Sequence, residues 1–489
     1  MRLQFNRLVA SAACLLVTHG CAAGLLAQSP ATGVAFRSDQ GKARAPADEI
    51  TLPVDLDAAD RLVWRCPLPA GHSTPCIHGQ RAYLTGYREN ESQMVTMAVD
   101  LAAGKLLWER VAPATRLEPY HGTSSPAAAS VACDGEYLYV FFGSYGLLCY
   151  NLAGDQVWAA PLGPYQDEFG SASSPVIAGD NVILNQDHDA HNSLIAFDRR
   201  TGQVAWQVPR DEFTRSYATP VVAQIDGEMQ LVVAGALTLT GYSAKTGERL
   251  WWFHGLARIV NPTPVVEGDV AYVVSWAPGG DPGERITMED WSGAVTRYDQ
   301  NGDAKLQKSE LTDPEVLQRF YRIDLDQDGG LNEQEWQKQA DVFRRAENSV
   351  FALQLGGRGE LPADRLLWKY GRGLPYVPSP VVQDGILFMV KDSGILTSVN
   401  AETGEPIKQG RLAGRGNYYA SPVAGDNKVY LCSESGVVSI VTAHGAWTLL
   451  ASHDLAETMY ATPSIVDGRL FLRTSQALYC FAEPAGAER

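Results

Sequence analysis

The chain has 489 residues, 45% of them hydrophobic and 20% charged, which is enough for about two to four domains or for one large repetitive domain. The 40 Lys and Arg residues against 56 Asp and Glu residues give a net charge of −16, which argues against nucleic acid or an anionic membrane as a partner held by bulk charge. No internal apolar stretch approaches the ~18–20 residues of a membrane helix, so a polytopic membrane protein is excluded.

The N-terminus has the three-part pattern of a secretory signal. Arg2 and Arg7 precede an apolar run over Leu8–Val17, and small residues follow. We therefore predict a signal peptide over 1–27, a flexible linker over 28–59 and an exported protein of the periplasm or cell envelope. A lipid anchor at Cys21 is disfavoured, because Thr-His-Gly is a poor lead-in for lipoprotein processing. Six later cysteines fit either disulfide bonds or buried thiols, and the sequence leaves that choice open.

A short phrase recurs along the chain: a small residue, Ser or Thr, Pro, and then apolar residues. The intervals between its copies are 51, 49, 45, 44, 116, 42 and 41 residues, so one interval contains an insertion of about 70 residues. Repeats of ~40–50 residues with strand signals are typical of propeller blades. The eight copies contain Pro75, Pro126, Pro175, Pro220, Pro264, Pro380, Pro422 and Pro463.

Each unit has the pattern of four short strands separated by Gly and Asp turns. Many units end with Gly and, four residues later, Trp, as in Gly202 and Trp206, and these rings are expected to fill the wedges between blades. The eighth unit lacks a fourth strand, and residues 60–68 resemble the missing one. We predict an all-β fold over 60–484: an eight-bladed β-propeller of four-stranded blades, closed by the N-terminal strand and followed by a tail over 485–489.

The segment from Phe197 through Asp198, Gly202 and Trp206 resembles the repeat of the pyrroloquinoline-quinone (PQQ) family of β-propellers. The resemblance covers nearly all of 60–484 outside the insertion. It implies the propeller fold but not the function, because the family contains quinoprotein dehydrogenases as well as non-catalytic members such as the periplasmic scaffold BamB. We assign the chain to the BamB-like, non-catalytic branch.

The insertion, placed between the second and third strands of blade five, contains two twelve-residue acidic loops within 285–348. Both match the EF-hand spacing, in which oxygens at positions 1, 3, 5, 7, 9 and 12 converge on one calcium ion. The alternative is an acidic loop that binds nothing. The predicted ligands, with Lys305 and Gly330 contributing backbone carbonyls, are Asp299, Asn301, Asp303, Lys305, Glu310, Asp324, Asp326, Asp328, Gly330 and Glu335.

The two loops are expected to differ in affinity for calcium. The second has four side-chain carboxylates and Gly329 at the sharp turn, whereas the first has three carboxylates and Ala304 there. We therefore predict tighter binding at the second loop. Pro314 interrupts a short connector, which favours a static calcium-locked module over a calmodulin-like opening motion.

One face of the propeller should carry the loops that precede the Pro phrases, and this rim is the default binding surface. The alternative, which we favour for the aromatic residues, is that each caps its own blade. A second cluster on this face, Asp187–Asn192, fits a transition-metal site or, as we favour, a solvated polar loop. The candidate rim residues are Tyr120, His121, Arg215, Tyr217, Tyr418 and Tyr460.

The sequence supports a scaffold better than an enzyme. No Cys-Cys pair of the kind familiar in quinoprotein dehydrogenases occurs, and the EF-hand calcium would be peripheral and fully coordinated. We predict no catalytic residues and a calcium-binding interaction module whose partners are envelope or exported proteins. The alternative is a PQQ-dependent oxidoreductase or a degenerate relative of one, with PQQ the less favoured cofactor.

Overall fold

The computed structural model describes residues 36–37, 41–45, 51–281 and 286–484. The predicted signal peptide with Cys21 and the predicted tail over 485–489 lie outside this part of the chain. Within it, no helix is both long enough and apolar enough to cross a membrane.

Eight antiparallel sheets form the blades of a propeller, as predicted. Blade one consists of β2 Cys76–His78, β3 Arg81–Arg88, β4 Gln93–Asp100 and β5 Lys105–Val111, and blade two of β6 Ala132–Cys133, β7 Tyr137–Phe142, β8 Gly146–Asn151 and β9 Gln156–Pro161. Blade three consists of β10 Val176–Ala178, β11 Asn181–Gln186, β12 Ser193–Asp198 and β13 Val204–Pro209, and blade four of β14 Val221–Ile225, β15 Glu228–Gly235, β16 Thr238–Ser243 and β17 Arg249–His254. Blade five consists of β18 Val265–Glu267, β19 Val270–Ser275, β22 Ser349–Gln354 and β24 Leu366–Tyr370, and blade six of β25 Val381–Gln383, β26 Ile386–Lys391, β27 Ile395–Asn400 and β28 Pro406–Arg411. Blade seven consists of β29 Val423–Gly425, β30 Lys428–Cys432, β31 Val437–Thr442 and β32 Leu449–Asp454, and blade eight of β33 Ser464–Val466, β34 Arg469–Arg473, β35 Ala477–Ala482 and β1 Leu62–Pro67.

The recurring Ser or Thr explains why the repeat phrase exists. Its hydroxyl accepts a hydrogen bond from the equivalent backbone N–H of the preceding blade, for example Ser174 N–H to Thr219 Oγ1 at 3.0 Å. Seven such bonds of 2.9–3.1 Å link the inner strands around the channel. In blade two the position belongs to Ser130, five residues after the Ser125 of the predicted phrase, so the prediction was out of register there.

The Gly and Trp of the second phrase act between blades. The indole N–H of Trp158 donates to the Arg199 carbonyl of the next blade at 3.0 Å, and the ring covers Gly202. A Cβ on Gly202 would lie 2.6 Å from that ring, so only glycine lets the blades approach this closely. The same Trp-over-Gly contact joins Trp64 to Gly104, Trp108 to Gly154, Trp206 to Gly247 and Trp368 to Gly404.

The junction of blades four and five departs from this pattern. Trp251 turns into its own blade, where it is fully buried and donates to Gln230 Oε1 at 2.8 Å. The outer edge of blade four is instead covered by β23 (Gly359–Glu360), which pairs in parallel with β17. Blade four thereby gains a fifth strand.

The ring closes as the sequence predicts. Strand β1 pairs antiparallel with β35, and Trp64 lies opposite Cys480. The Trp64 indole N–H also donates to the Leu101 carbonyl of blade one at 2.8 Å, so this residue joins the last blade to the first. The thiols that the structure describes are buried, and no disulfide bond involves Cys66, Cys133, Cys149, Cys432 or Cys480.

The described residues of the predicted linker are packed rather than flexible. Residues 41–45 lie in the central channel, where Ala45 N–H donates to the Ala424 carbonyl at 2.8 Å and Arg44 pairs with Glu267 at 3.1 Å. Arg37 is buried against the inner strands and donates to the Pro380 carbonyl. The prediction of a flexible linker was wrong for these residues. Their binding partners lie several hundred residues away in the sequence, and the polar composition of the segment gives no sign of them.

Residues 51–59 then lie against blade seven. The Leu52 and Leu56 side chains are buried in the hydrophobic core of the late blades. The Tyr430 hydroxyl donates to the Pro53 carbonyl at 2.9 Å, and His453 Nδ1 lies 2.9 Å from Asp57 Oδ2. This segment leads directly into the closing strand β1.

The insertion between β19 and β22 forms a small helical module. It consists of α1 (Trp291–Tyr298), α2 (Pro314–Ile323) and α3 (Glu333–Arg345), with the two-residue strands β20 (Leu306–Gln307) and β21 (Gly330–Leu331) pairing between its loops. The module has its own core, in which Leu306, Leu331 and Trp336 are buried. Pro314 occupies the first turn of α2 rather than breaking a helix, a position where its missing N–H costs nothing.

Candidate functional site

The second acidic loop, residues 324–335, is folded around its own carboxylates. Glu335 accepts hydrogen bonds from Leu325 N–H at 2.7 Å and from Asn332 N–H at 3.0 Å, which fixes both ends of the loop. One carboxylate oxygen from each of Asp324, Asp326 and Asp328 lies within 4.8 Å of the others. This converging set of hard oxygen donors is the kind that calcium prefers.

The negative charges of this loop are costly without a cation. Burial raises the pKa of Asp324, and the neighbouring carboxylates of Asp326 and Asp328 act in the same direction. Burial likewise raises the pKa of Glu335. The same electrostatics that disfavour these anions would favour a divalent cation between them.

The first loop, residues 299–310, has the same framework with fewer carboxylates. Glu310 accepts from Gln300 N–H at 3.0 Å and from Gln307 N–H at 2.8 Å, as Glu335 does in the second loop. Asp299 accepts from Gly302 N–H at 2.7 Å. Lys305 of the first loop forms an ion pair with Asp328 of the second, so its ammonium group offsets part of the negative charge of the second loop.

The backbone of both loops enters the left-handed region at positions four and six. In the first loop these are Gly302 (φ 76°) and Ala304 (φ 59°), and in the second Gln327 (φ 59°) and Gly329 (φ 90°). The strain at Ala304 is the one expected from the sequence, and Gln327 carries an equivalent strain that was not expected. Each loop therefore carries one strained residue, and the number of carboxylates alone distinguishes their expected affinities.

A second candidate site lies at the mouth of the channel, on the face that bears the module. It is a cavity of about 410 Å³ enclosed by the loops that precede the inner strands. Three of the six predicted rim residues line it, namely His121, Tyr217 and Tyr460. The cavity is also lined by Phe36, His72, Phe169, Asn261, Tyr376, Asp392, Asn417 and Tyr419.

Three stacked rings form one wall of this cavity. Tyr460 stacks on His72 at 4.3 Å and on Tyr419 at 5.3 Å between ring centroids, and its hydroxyl donates to Glu434 at 2.9 Å. Burial, with a smaller contribution from Arg473, lowers the pKa of His72 to about 3. The imidazole is therefore neutral near pH 7 and presents an uncharged aromatic face.

The opposite wall is built around Phe169. Tyr217 meets Phe169 edge to face at 6.0 Å, and His121 lies against it at 5.2 Å. The Tyr217 hydroxyl donates to Asp167 Oδ1 at 2.6 Å, which fixes the ring. Tyr120 lies outside the cavity lining and packs edge to face against Tyr87 at 6.2 Å.

Besides Tyr120, two predicted rim residues lie outside the cavity lining. Tyr418 is fully buried in the core of the late blades, and its neighbour Tyr419 lines the cavity instead, because successive residues of an extended chain point to opposite sides. Arg215 is buried in ion pairs with Asp189 and Glu168 and faces the module rather than the channel.

The cluster Asp187–Asn192 is not a solvated loop, because the side chains of Asp187, His188, Asp189 and Asn192 are buried. Arg210 donates to both oxygens of Asp187 at 2.7 Å, and both side chains are fully buried. His188 is held between Asp167, at 3.2 Å, and Gln186, at 3.0 Å. The sequence prediction of solvation was wrong, because the partner cation and carboxylate come from the loop on each side of this segment.

The lining of the mouth cavity offers few carboxylate ligands for a metal ion. Asp392 is the single carboxylate in its lining, and Asp392 Oδ1 is buried without a hydrogen-bond partner. Among the residues that the structure describes, three carboxylate or imidazole groups converge within 4.8 Å at Asp324, Asp326 and Asp328 and at Asp55, Asp57 and His453. Neither group contributes to this lining.

Comparisons with known proteins agree with this architecture. The crystal structure of BamB from Moraxella catarrhalis superposes with a TM-score of 0.53 at 12% identity, covering 86% of this chain and 99% of that one. A quinohemoprotein alcohol dehydrogenase from Pseudomonas putida HK5 gives 0.52 at 12% identity, covering 94% and 82%. The computationally designed Ika8 protein gives 0.52 at 10% identity, covering 86% and 100%. At these identities the likeness shows the fold alone.

A search of curated protein sequences finds no match. The family model described as outer membrane protein assembly factor BamB, built on PQQ-type repeats, matches residues 38–186 and 190–489, which is most of the chain. The chain therefore belongs to this BamB-like family of PQQ-repeat propellers.

Proposed function

We propose that this protein is an exported, calcium-binding propeller that acts as an interaction scaffold in the cell envelope. Membership of a family described as an assembly factor is the observation that carries the scaffold role. The mouth cavity supports it, because aromatic rings and neutral polar groups line it while metal-ligating and acidic side chains are few. Such a lining fits the side chains of a partner protein.

The proposed contact surface is the wall made by Tyr419, Tyr460 and His72. Aromatic residues with a polar tip are typical anchors of protein interfaces, since they bury a large area at a low entropic cost. The test uses the full chain as bait for envelope extracts, with the variant Tyr419→Ala/Tyr460→Ala. The matched control is Tyr321→Ala, because Tyr321 is 62% exposed on the module and away from the cavity.

We expect the double variant to lose a specific set of captured proteins that the wild type and the control retain. Equal capture by all three proteins would contradict the proposed surface. A thermal unfolding measurement on each variant separates loss of binding from loss of folding.

The module is proposed to bind two calcium ions in the loops that begin at Asp299 and Asp324. The second loop should bind more tightly because it has four carboxylates where the first has three. Calorimetry on the full chain, comparing Asp324→Asn with Asp299→Asn, tests this order. We expect Asp324→Asn to remove the tighter of two binding events, and the opposite result would contradict the assignment.

The alternative of a PQQ-dependent oxidoreductase has a direct test. Purified protein is incubated with PQQ and calcium, and the quinone absorbance and dye-linked alcohol oxidation are followed. Turnover would contradict the scaffold proposal. Export is tested by the mass of the mature chain recovered from the periplasm, which should lack residues 1–27.

A further inference from the structure

A cleft of about 350 Å³ separates the helical module from the propeller. Helices α2 and α3 form one side, and loops of blades four and five form the other. Several hydrogen bonds hold the two sides together at its margin, among them Lys338 Nζ to the Phe213 carbonyl at 3.2 Å and Glu347 N–H to the Leu256 carbonyl at 3.0 Å. The cleft is therefore a fixed feature of the junction, distinct from the channel mouth.

Four cationic side chains that form no ion pair with the described carboxylates line this cleft. Arg258 comes from the propeller, Arg319 and Arg322 from one face of α2, and Lys338 from α3. Arg258 donates to the Pro278 carbonyl at 2.8 Å and Arg319 to the Glu315 carbonyl at 3.0 Å. Within the described part of the chain, no ion pair forms to any of the four, in contrast to nearby Arg215.

This concentration of positive charge is unusual in a chain of net charge −16. Burial lowers the pKa of Arg258. The neighbouring charges of Arg322 and Arg215 act in the same direction, and Tyr376 and Glu168 act against them. Burial also lowers the pKa of Lys338. Like charges gathered at a partly buried surface repel one another, and an anion placed among them removes that cost.

Much of the remaining cleft wall is apolar, and Glu335 of the second acidic loop is the one carboxylate among the described residues of the lining. Ile259, Ile323, Val342 and Phe343 line it, and each is at most 6% exposed. An inorganic anion would leave this wall unused. A ligand with an anionic group and an apolar body would contact both parts of the surface.

We propose that this cleft binds a small organic anion, with its phosphate or carboxylate group against Arg258, Arg322 and Lys338 and its apolar body against Phe343 and Ile259. Phosphate and carboxylate share the geometry that guanidinium groups recognise, so the two sources are separated by experiment. The site is separate from the proposed scaffold surface, and it shares Leu325 and Glu335 with the second acidic loop.

The test is calorimetry on the full chain with four probes: naphthyl phosphate, naphthoate, naphthol and inorganic phosphate. The variant is Arg258→Gln/Arg322→Gln, which removes two charges from the cleft. The matched control is Arg200→Gln/Lys245→Gln, which removes two exposed charges from hairpins on the other face of the ring. Arg322→Gln alone serves as a second variant, because Arg322 is exposed and its loss leaves the fold intact.

We expect naphthyl phosphate or naphthoate to bind at least about tenfold more tightly than naphthol and inorganic phosphate. The cleft variant should lose about tenfold or more in affinity, and Arg322→Gln a smaller part, while the control retains wild-type affinity. Whichever of the two naphthyl anions binds more tightly identifies the preferred group. Failure of both to bind, or equal affinities in the cleft variant and the control, would overturn the proposal.

Discussion

The Trp-over-Gly contact between blades makes a quantitative prediction. Gly202 has φ 71°, and a Cβ added to it would lie 2.6 Å from the ring of Trp158. Gly227, in the first hairpin of blade four, has a nearly identical φ of 76°, and no atom lies within 4 Å of its added Cβ. The pair Gly202→Ala and Gly227→Ala therefore separates the backbone cost of alanine from the cost of displacing the docked ring.

Both substitutions place alanine in the left-handed region, which costs about 1 kcal/mol relative to glycine. Gly202→Ala also forces Trp158 out of its contact, and overpacking of this kind costs a further ~1–3 kcal/mol. We expect the free energy of unfolding to fall by about 1 kcal/mol for Gly227→Ala and by about 2–4 kcal/mol for Gly202→Ala.

Urea denaturation followed by circular dichroism measures both values, and an unchanged m-value shows that the folded state is the same. In a Trp158→Leu background the clash is removed, so Gly202→Ala should then cost only about 1 kcal/mol. Equal destabilisation by the two alanine substitutions in the wild-type background would refute the docking argument.

Three further predictions follow from other contacts. Lys305→Gln removes the cation that pairs with Asp328, so the second loop should bind calcium severalfold more tightly by calorimetry, and weaker binding would show that the pair does not compete. Trp64→Ala should lower the free energy of unfolding by about 3–5 kcal/mol through loss of ring closure, whereas Val63→Ala, at a position 47% exposed, should change it by less than ~0.5 kcal/mol. The pKa of His72 is lowered to about 3 in the folded protein, so between about pH 6.5 and 3 the unfolded chain binds a proton that the folded chain does not bind. The free energy of unfolding therefore decreases as the pH falls through this range. His72→Gln should flatten this acid limb in pH-dependent thermal unfolding while Arg473 and Tyr460 stay in place, and an unchanged pH profile would contradict the assignment.

The two candidate sites differ in how much of each could be predicted from the local sequence. The twelve-residue loops could be located from the sequence, because their candidate donors belong to one short segment with a fixed spacing, and their binding of calcium stays a prediction. The cavity lining was predicted only in part, since neighbouring Tyr418 and Tyr419 point to opposite sides and their composition does not distinguish the inward from the outward one. His72 and Asn261 gave no local signal, because each becomes a lining residue only through the blades on either side of it.

The repeat pattern by itself determined the eight blades, the closing strand and the place of the insertion. It did so because each blade repeats the same short-range strand pairings and the same hydroxyl at the channel. Only the tertiary structure placed Arg37 against Pro380, buried Asp187 with Arg210 and gathered Arg258, Arg322 and Lys338 at one cleft. These contacts join segments that are far apart in the chain or lie on opposite sides of a loop, so only the closed ring with its docked module brings their charges within reach of one another.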